Sequence, residues 1–190
     1  MKTHIVFVMD RSGSMSHIAD DAAGGFNQFV KTQRKLPGKA RLTLIQFNTT
    51  NEITCTKSKL KEVPKLVVGE NYNPGGMTAL NDALGWAINK HEDEKKVIVG
   101  VMTDGHENSS HEFSKSAIKA LIERKQKDGW EFHYLGAHAD AFAEAGQLGI
   151  PQAHTVQVSA DAAGMQASYA SMSDSATRYR EKSASDSSLS

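Results

Sequence analysis

One stretch near the N-terminus decides the fold, and it reads Ile5-Val6-Phe7-Val8-Met9-Asp10-Arg11-Ser12-Gly13-Ser14. Its first half is a short apolar run, the pattern of a strand that is buried on both faces of a sheet. Its second half is a polar loop that carries a carboxylate and two hydroxyls. In α/β proteins, ligands bind outside the carboxyl ends of the strands, so this loop is the first place to look for a site.

The rest of the chain alternates short apolar runs with longer amphipathic segments. The apolar runs predict buried strands at residues 5–9, 41–48, 97–103, 130–137 and 154–158. A polar–apolar alternation predicts an antiparallel edge strand at residues 52–56. Helical periodicity predicts helices at residues 17–35, 78–92, 113–127, 139–148 and 160–182. Together they predict an α/β fold, a doubly wound and mostly parallel sheet with helices on both faces.

The chain length indicates a single domain. The 190 residues would leave two separate cores too small, so one domain is expected over residues 1–182. The last residues, 183–190, are Ser-rich and are expected to be disordered.

Charge and hydropathy narrow the classes of partner. Lys plus Arg and Asp plus Glu both number 22, which predicts neither nucleic-acid nor membrane binding. The first apolar run is too short for a signal peptide, and no run approaches the roughly 20 residues of a membrane span. Cys55 is the only cysteine, so no internal disulfide can form. These features together predict a cytoplasmic protein.

Polar ligand-type residues recur at the predicted strand ends. Asp10, Ser12 and Ser14 follow the first strand, Asp104 follows the strand at 97–103, and Thr78 follows a glycine-containing loop. If the two strands are neighbours, the two carboxylates converge, and each would raise the pKa of the other unless a cation lies between them. Carboxylate and hydroxyl oxygens suit hard cations, so the pattern predicts a site for Mg²⁺, with Mn²⁺ as the alternative.

Asp10-Arg11-Ser12-Gly13-Ser14, Thr78 and Thr103-Asp104-Gly105 together resemble the metal-ion-dependent adhesion site (MIDAS) of von Willebrand factor A (vWA) domains. The resemblance covers about residues 2–182 and implies a Rossmann-like sheet with one antiparallel edge strand. It implies that Ser12 and Ser14 bind the metal directly, that Thr78 does so in the ligand-competent state, and that Asp10 and Asp104 act mainly through water.

The resemblance also implies a function. The protein is expected to be a non-enzymatic, metal-dependent protein-binding module, an intracellular adaptor or regulatory subunit. Its partner would supply an Asp or Glu carboxylate to the metal, and intracellular vWA proteins of this kind often work beside AAA+ ATPases. A metal-dependent phosphoester hydrolase is the alternative, since a metal ion can activate a phosphate ester. A hydrolase needs a general base or nucleophile beside the ion, and the motifs supply none.

Other enzyme classes find less support. Ser12 and Ser14 lack the Gly-x-Ser-x-Gly context of a hydrolase nucleophile, and the chain contains no phosphate-binding Gly-x-x-x-x-Gly-Lys-Ser/Thr loop. A haloacid-dehalogenase-like phosphatase would need a second Asp at the position of Ser12.

The histidines and the loop after Asp104 carry weaker signals. The pairs His106/His111 and His133/His138 lack a matching acidic or thiol set and are expected to be ordinary surface or loop residues. Two residues that follow Asp104 closely, Glu107 and Asn108, are candidates for the rim of the metal site.

Overall fold

The computed structural model describes residues 2–186, with side chains described as far as residue 182. Within that range six strands form one sheet in the order β3-β2-β1-β4-β5-β6. The strands are β1 (Thr3–Asp10), β2 (Ala40–Phe47), β3 (Asn51–Lys59), β4 (Val97–Thr103), β5 (Glu131–Gly136) and β6 (Thr155–Gln157). β3 pairs antiparallel with β2, whereas the other pairs are parallel. The predicted mostly parallel sheet with one antiparallel edge strand is confirmed.

Helices cover both faces of the sheet. They are α1 (Ala19–Lys35), α2 (Leu80–Lys90), α3 (Lys115–Lys127), α4 (Ala141–Gln147) and α5 (Ala162–Asp186). Alternate residues of β1 supply two separate cores, because successive side chains of a strand point to opposite faces. Ile5, Phe7 and Met9 pack in the core beneath α1 and α5. Val6 and Val8 pack in the core beneath α2, α3 and α4.

The C-terminal helix is longer than the sequence pattern predicted. Residues 183–186 of α5 lie within the Ser-rich stretch that was expected to be disordered, and residues 187–190 lie outside the described residues. None of the helices in the described part of the chain is both long and apolar enough to cross a membrane.

The sheet topology places the functional loops. From β1 the chain crosses to β2 on one side, and later enters β4 on the other side, so the strand order reverses between β1 and β4. Met9 pairs with Met102, which sets Asp10 beside Thr103 at the carboxyl ends of both strands. This reversal point is where doubly wound sheets form their ligand crevice.

Candidate metal centre

Asp10 lies at the base of the crevice and is held by three short hydrogen bonds. Its side chain is fully buried. Thr103 Oγ1 donates to its Oδ2 at 2.6 Å, and the Ser12 backbone N–H donates to its Oδ1 at 2.6 Å. The phenol of Tyr72 donates to its main-chain oxygen at 2.6 Å. The orientation of this carboxylate is therefore fixed by the protein itself.

Three hydroxyls meet in front of the two aspartates. Ser14 Oγ lies 3.1 Å from Ser12 Oγ and donates to Asp104 Oδ1 at 2.7 Å. A Cβ placed on Gly105 would lie 3.1 Å from Thr78 Oγ1, 3.2 Å from Ser14 Oγ and 3.7 Å from Ser12 Oγ. The hydroxyls thus surround a small space beside Gly105 that a larger residue would fill. The structure brings all five predicted residues to this one place.

The loop before α2 brings Thr78 to the site. The backbone N–H of Gly13 donates to the Gly76 carbonyl at 3.0 Å, and that of Gly75 donates to the Arg11 carbonyl at 2.8 Å. Gly76 has a φ of 79°, a conformation that glycine adopts without strain. The first loop and the glycine-containing loop are thereby joined along their backbones, although they lie far apart in the chain.

Asn108 and Glu107 hold the remaining loop against α2. The Asn108 backbone N–H donates to the Thr78 carbonyl at 3.0 Å, and its side-chain oxygen accepts from the Thr78 N–H at 2.9 Å. Glu107 Oε2 accepts from the backbone N–H of Asn81 at 2.7 Å, in the first turn of α2. An acidic side chain at a helix N-terminus satisfies a free N–H and complements the helix dipole. Both residues therefore position Thr78.

The electrostatics of Asp10 differ in one respect from the expectation. Burial is the largest cause that raises the pKa of its carboxyl, from 3.8 to about 6, against the lowering effect of the bonds from Thr103 and Ser12. The charge of Asp104 raises the same pKa by a smaller effect. Desolvation, more than mutual repulsion between the carboxylates, is what makes the ionised site unfavourable without a cation.

Sequence reasoning missed a histidine at the site. His17 Nδ1 lies 3.8 Å from Asp104 Oδ2, and the same nitrogen contacts the Ser14 carbonyl oxygen at 2.5 Å. The two residues share one turn of a short 3-10 helix, Gly13–His17, so the spacing from Ser14 could have indicated the contact. This nitrogen is already engaged by a main-chain oxygen, which does not favour its use as a general base.

Thr103 and Tyr72 were also missed as site residues. Thr103 stands next to Asp104 in the motif, and the pairing of its strand with β1 is the signal that places its hydroxyl against Asp10. Tyr72 carries no local signal, because its loop reaches Asp10 only through the tertiary fold.

The donor set of the crevice fits a divalent cation. It consists of two carboxylates and three hydroxyls, with the carboxylates almost inaccessible to water. Oxygen-only sets of this kind suit hard cations such as Mg²⁺ and Mn²⁺. A cation would also offset the desolvation that now raises the pKa of Asp10.

Comparison with known proteins identifies the family. Residues 4–170 match the model of the von Willebrand factor type A domain. The chain belongs to this family. By sequence, no curated protein matches this vWA chain significantly.

Solved structures share the vWA fold at low sequence identity. The PilB minor pilin from Streptococcus sanguinis aligns with a TM-score of 0.74 and 15% identity, over 95% of this chain and 62% of the pilin. Proximal thread matrix protein 1 from the mussel byssus, in a structure with a zinc-occupied MIDAS motif, aligns with a TM-score of 0.68 and 16% identity. That alignment covers 93% of this chain and 48% of the mussel protein, so the vWA chain spans about half of its length.

A third structure is that of the manganese-loaded TRAP protein from Plasmodium vivax. It aligns with a TM-score of 0.66 and 16% identity, over 87% of this chain and 71% of the TRAP chain. At these identities the three likenesses support the fold, and the metals they name belong to those proteins.

Proposed function

We propose that this vWA domain binds one divalent cation, Mg²⁺ or Mn²⁺, at Asp10, Ser12, Ser14, Thr78 and Asp104, and uses it to bind a carboxylate of a partner protein. The observation that carries the proposal is the group of three hydroxyls around Gly105, with two buried carboxylates next to them. The solved relatives that hold manganese or zinc support a divalent metal in this family.

The hydrogen bonds indicate how the charge of the site is distributed. Both oxygens of Asp10 already accept a bond from the protein, and Asp104 Oδ1 accepts one from Ser14. The oxygens left to face a cation come largely from neutral hydroxyls. A cation held this way keeps most of its positive charge, so it would bind an anionic oxygen from outside, an Asp or Glu side chain of a partner.

The surface beside Thr78 fits a protein partner. Met77 precedes it directly and is 50% exposed. A flexible apolar side chain beside a polar centre suits a protein contact, since interfaces are enriched in methionine. This supports a binding module, and the predicted partner, such as an AAA+ ATPase, belongs to the same proposal.

The compartment also remains a prediction. A cytoplasmic location rests on the N-terminal pattern and the single cysteine, whereas one of the similar structures is a pilin and another a byssus protein.

The proposal can be tested by selecting peptides rather than by guessing a partner. A random peptide library would be bound to the immobilised domain in Mg²⁺ and eluted with EDTA. We expect the eluted peptides to share an Asp or Glu, and we expect Ser14→Ala to recover few of them.

Ser16→Ala is the matched control. Ser16 lies in the same short helix, but its hydroxyl is bonded to the Gly13 carbonyl at 2.7 Å, so this variant should behave as the wild type. Peptides without an acidic residue, or equal recovery on Ser14→Ala, would contradict the proposed mechanism.

A further inference from the structure

Two histidines and a glutamate meet beside the crevice, although the sequence pattern assigned those histidines to unrelated loop positions. We propose that His106, His138 and Glu144 form a second metal site, specific for a transition-metal ion such as Zn²⁺. One potential ligand atom from each residue lies within 4.8 Å of the others. His106 follows β4, His138 follows β5, and Glu144 lies on α4.

The distances approach those of a tetrahedral zinc site. Ligand atoms held at the usual zinc bond lengths lie roughly 3.4 Å apart. His138 Nε2 lies 3.5 Å from Glu144 Oε2, which matches. His106 Nδ1 lies 2.5 Å from Glu144 Oε1, so this pair would have to separate by roughly 1 Å. The side chain of His106 is 59% exposed and lies on a loop, which leaves it room to move.

The other two ligands are held in place. The side chains of His138 and Glu144 are only 8% and 13% exposed. The phenol of Tyr134 donates to Glu144 Oε2 at 3.0 Å and lies 3.2 Å from His138 Nε2. Burial lowers the pKa of His138, which keeps its imidazole in the neutral form that binds metals. Ordered neighbours of this kind orient metal ligands.

The charges also favour a cation. Within the described side chains, the ion-pair contacts of Glu144 are with these two histidines, and neither a lysine nor an arginine neutralises it. Asp140 Oδ2 lies 4.0 Å from His106 Nε2 and adds a second negative charge. Two imidazoles and one carboxylate form a set found at zinc sites with an open fourth position.

The chain offers a contrasting cluster that lacks this geometry. Glu131, His133 and His154 also lie within 4.8 Å of one another. The rings of His133 and His154 stack with centroids 4.3 Å apart and planes at 21°. Lone pairs in two nearly parallel ring planes do not converge on one ion, and Lys182 already lies 3.9 Å from Glu131. The rings of His106 and His138 are tilted by 56°, which lets their lone pairs converge.

The two proposed centres differ in ligand chemistry and share no residue. The crevice at Asp10 offers oxygens alone, which suit Mg²⁺ and Mn²⁺, whereas imidazole nitrogens favour zinc and its neighbours. Since His106 lies two residues after Asp104, a zinc ion would tie the loop that carries Asp104 to α4.

The test uses Asp10→Asn, which weakens the first centre and so separates the two sites. Zn²⁺ binding would be followed by calorimetry, and Co²⁺ binding by visible absorption, because four-coordinate sites with imidazole ligands absorb far more strongly than six-coordinate oxygen sites. We expect Asp10→Asn to bind one Zn²⁺ and to give the strong Co²⁺ spectrum. Adding His106→Gln or Glu144→Gln should weaken Zn²⁺ binding by more than about tenfold, since loss of residues that merely orient ligands already has effects of that size.

His154→Gln in the same Asp10→Asn background is the matched control and should leave Zn²⁺ binding unchanged. His106→Gln alters an exposed side chain, so its circular dichroism should match that of the parent. The proposal is overturned if Asp10→Asn alone binds no Zn²⁺. It is also overturned if the added His106→Gln leaves affinity and the Co²⁺ spectrum unchanged.

Discussion

Replacing Asp10 by Asn should abolish the metal response of the domain without destabilising the metal-free protein. In the folded metal-free protein, burial raises the pKa of this carboxyl from 3.8 to about 6. Each pKa unit corresponds to 1.36 kcal/mol, so ionisation of Asp10 above pH 6 lowers stability by at most roughly 3 kcal/mol. Asn carries no charge and has nearly the same shape, which removes this effect.

The local hydrogen bonds can adapt to the amide. Asn loses one of the two acceptors that Asp10 offers to Ser12 and Thr103. Thr103 Oγ1 also lies 3.2 Å from the Gly105 carbonyl oxygen, which can accept its proton instead. The lost bond therefore offsets only part of the gain, because a typical hydrogen bond contributes about 1 kcal/mol. In EDTA at pH 7.5 we expect Asp10→Asn to melt at or above the wild-type temperature.

The wild type should respond strongly to metal. An ion that binds only the folded state adds about 2.7 kcal/mol at 100 times its Kd. In a domain of this size each kcal/mol raises Tm by about 2–4 °C, so saturating Mg²⁺ should raise Tm by about 5–11 °C. Melting curves of both proteins in Mg²⁺ and in EDTA measure these effects. An equal metal shift in the two proteins would show that the ion binds elsewhere, and a much lower melting temperature of Asp10→Asn in EDTA would refute the desolvation argument.

Three further predictions follow from the same contacts. Thr103→Val removes the hydroxyl bonded to Asp10 and should weaken Mg²⁺ binding by roughly 10–100-fold in calorimetry, as loss of an orienting residue does. Gly105→Ala places a methyl among the site hydroxyls and should weaken Mg²⁺ binding in calorimetry, with a far smaller change of Tm in EDTA. Burial lowers the pKa of both His4 and His91 from 6.5 to about 4, so the unfolded chain takes up protons first and stability should fall between about pH 6.5 and 4. His91→Phe should flatten that fall in pH-dependent melting curves, and an unchanged slope would contradict this assignment.

The sequence predicted the parts of the fold that carry a strong hydrophobic pattern. β4 has the predicted bounds, because a strand buried on both faces is a continuous apolar run. The edge strand β3 runs over Asn51–Lys59 and is longer than the predicted 52–56, since its exposed residues give no apolar signal. It pairs with β2 irregularly, and Lys57 has a φ of 46°, a local distortion that periodicity cannot reveal.

The site divides in the same way. The five predicted residues lie together because their motifs sit at the ends of neighbouring strands, which sequence order and fold class together imply. Tyr72 could not be predicted, because it reaches Asp10 from a loop with no characteristic motif. His106 and His138 were each paired with the wrong histidine, since spacing along the chain does not show that loops after β4 and β5 meet at α4.

Calorimetric titration with Mn²⁺ tests the central claim most directly. The wild type and Ser16→Ala should each bind one Mn²⁺ in the crevice with equal affinity. Ser14→Ala and Thr78→Ala each remove one hydroxyl beside Gly105 and should bind Mn²⁺ far more weakly. Unchanged Mn²⁺ affinity in both of these variants would contradict the assignment of the metal centre.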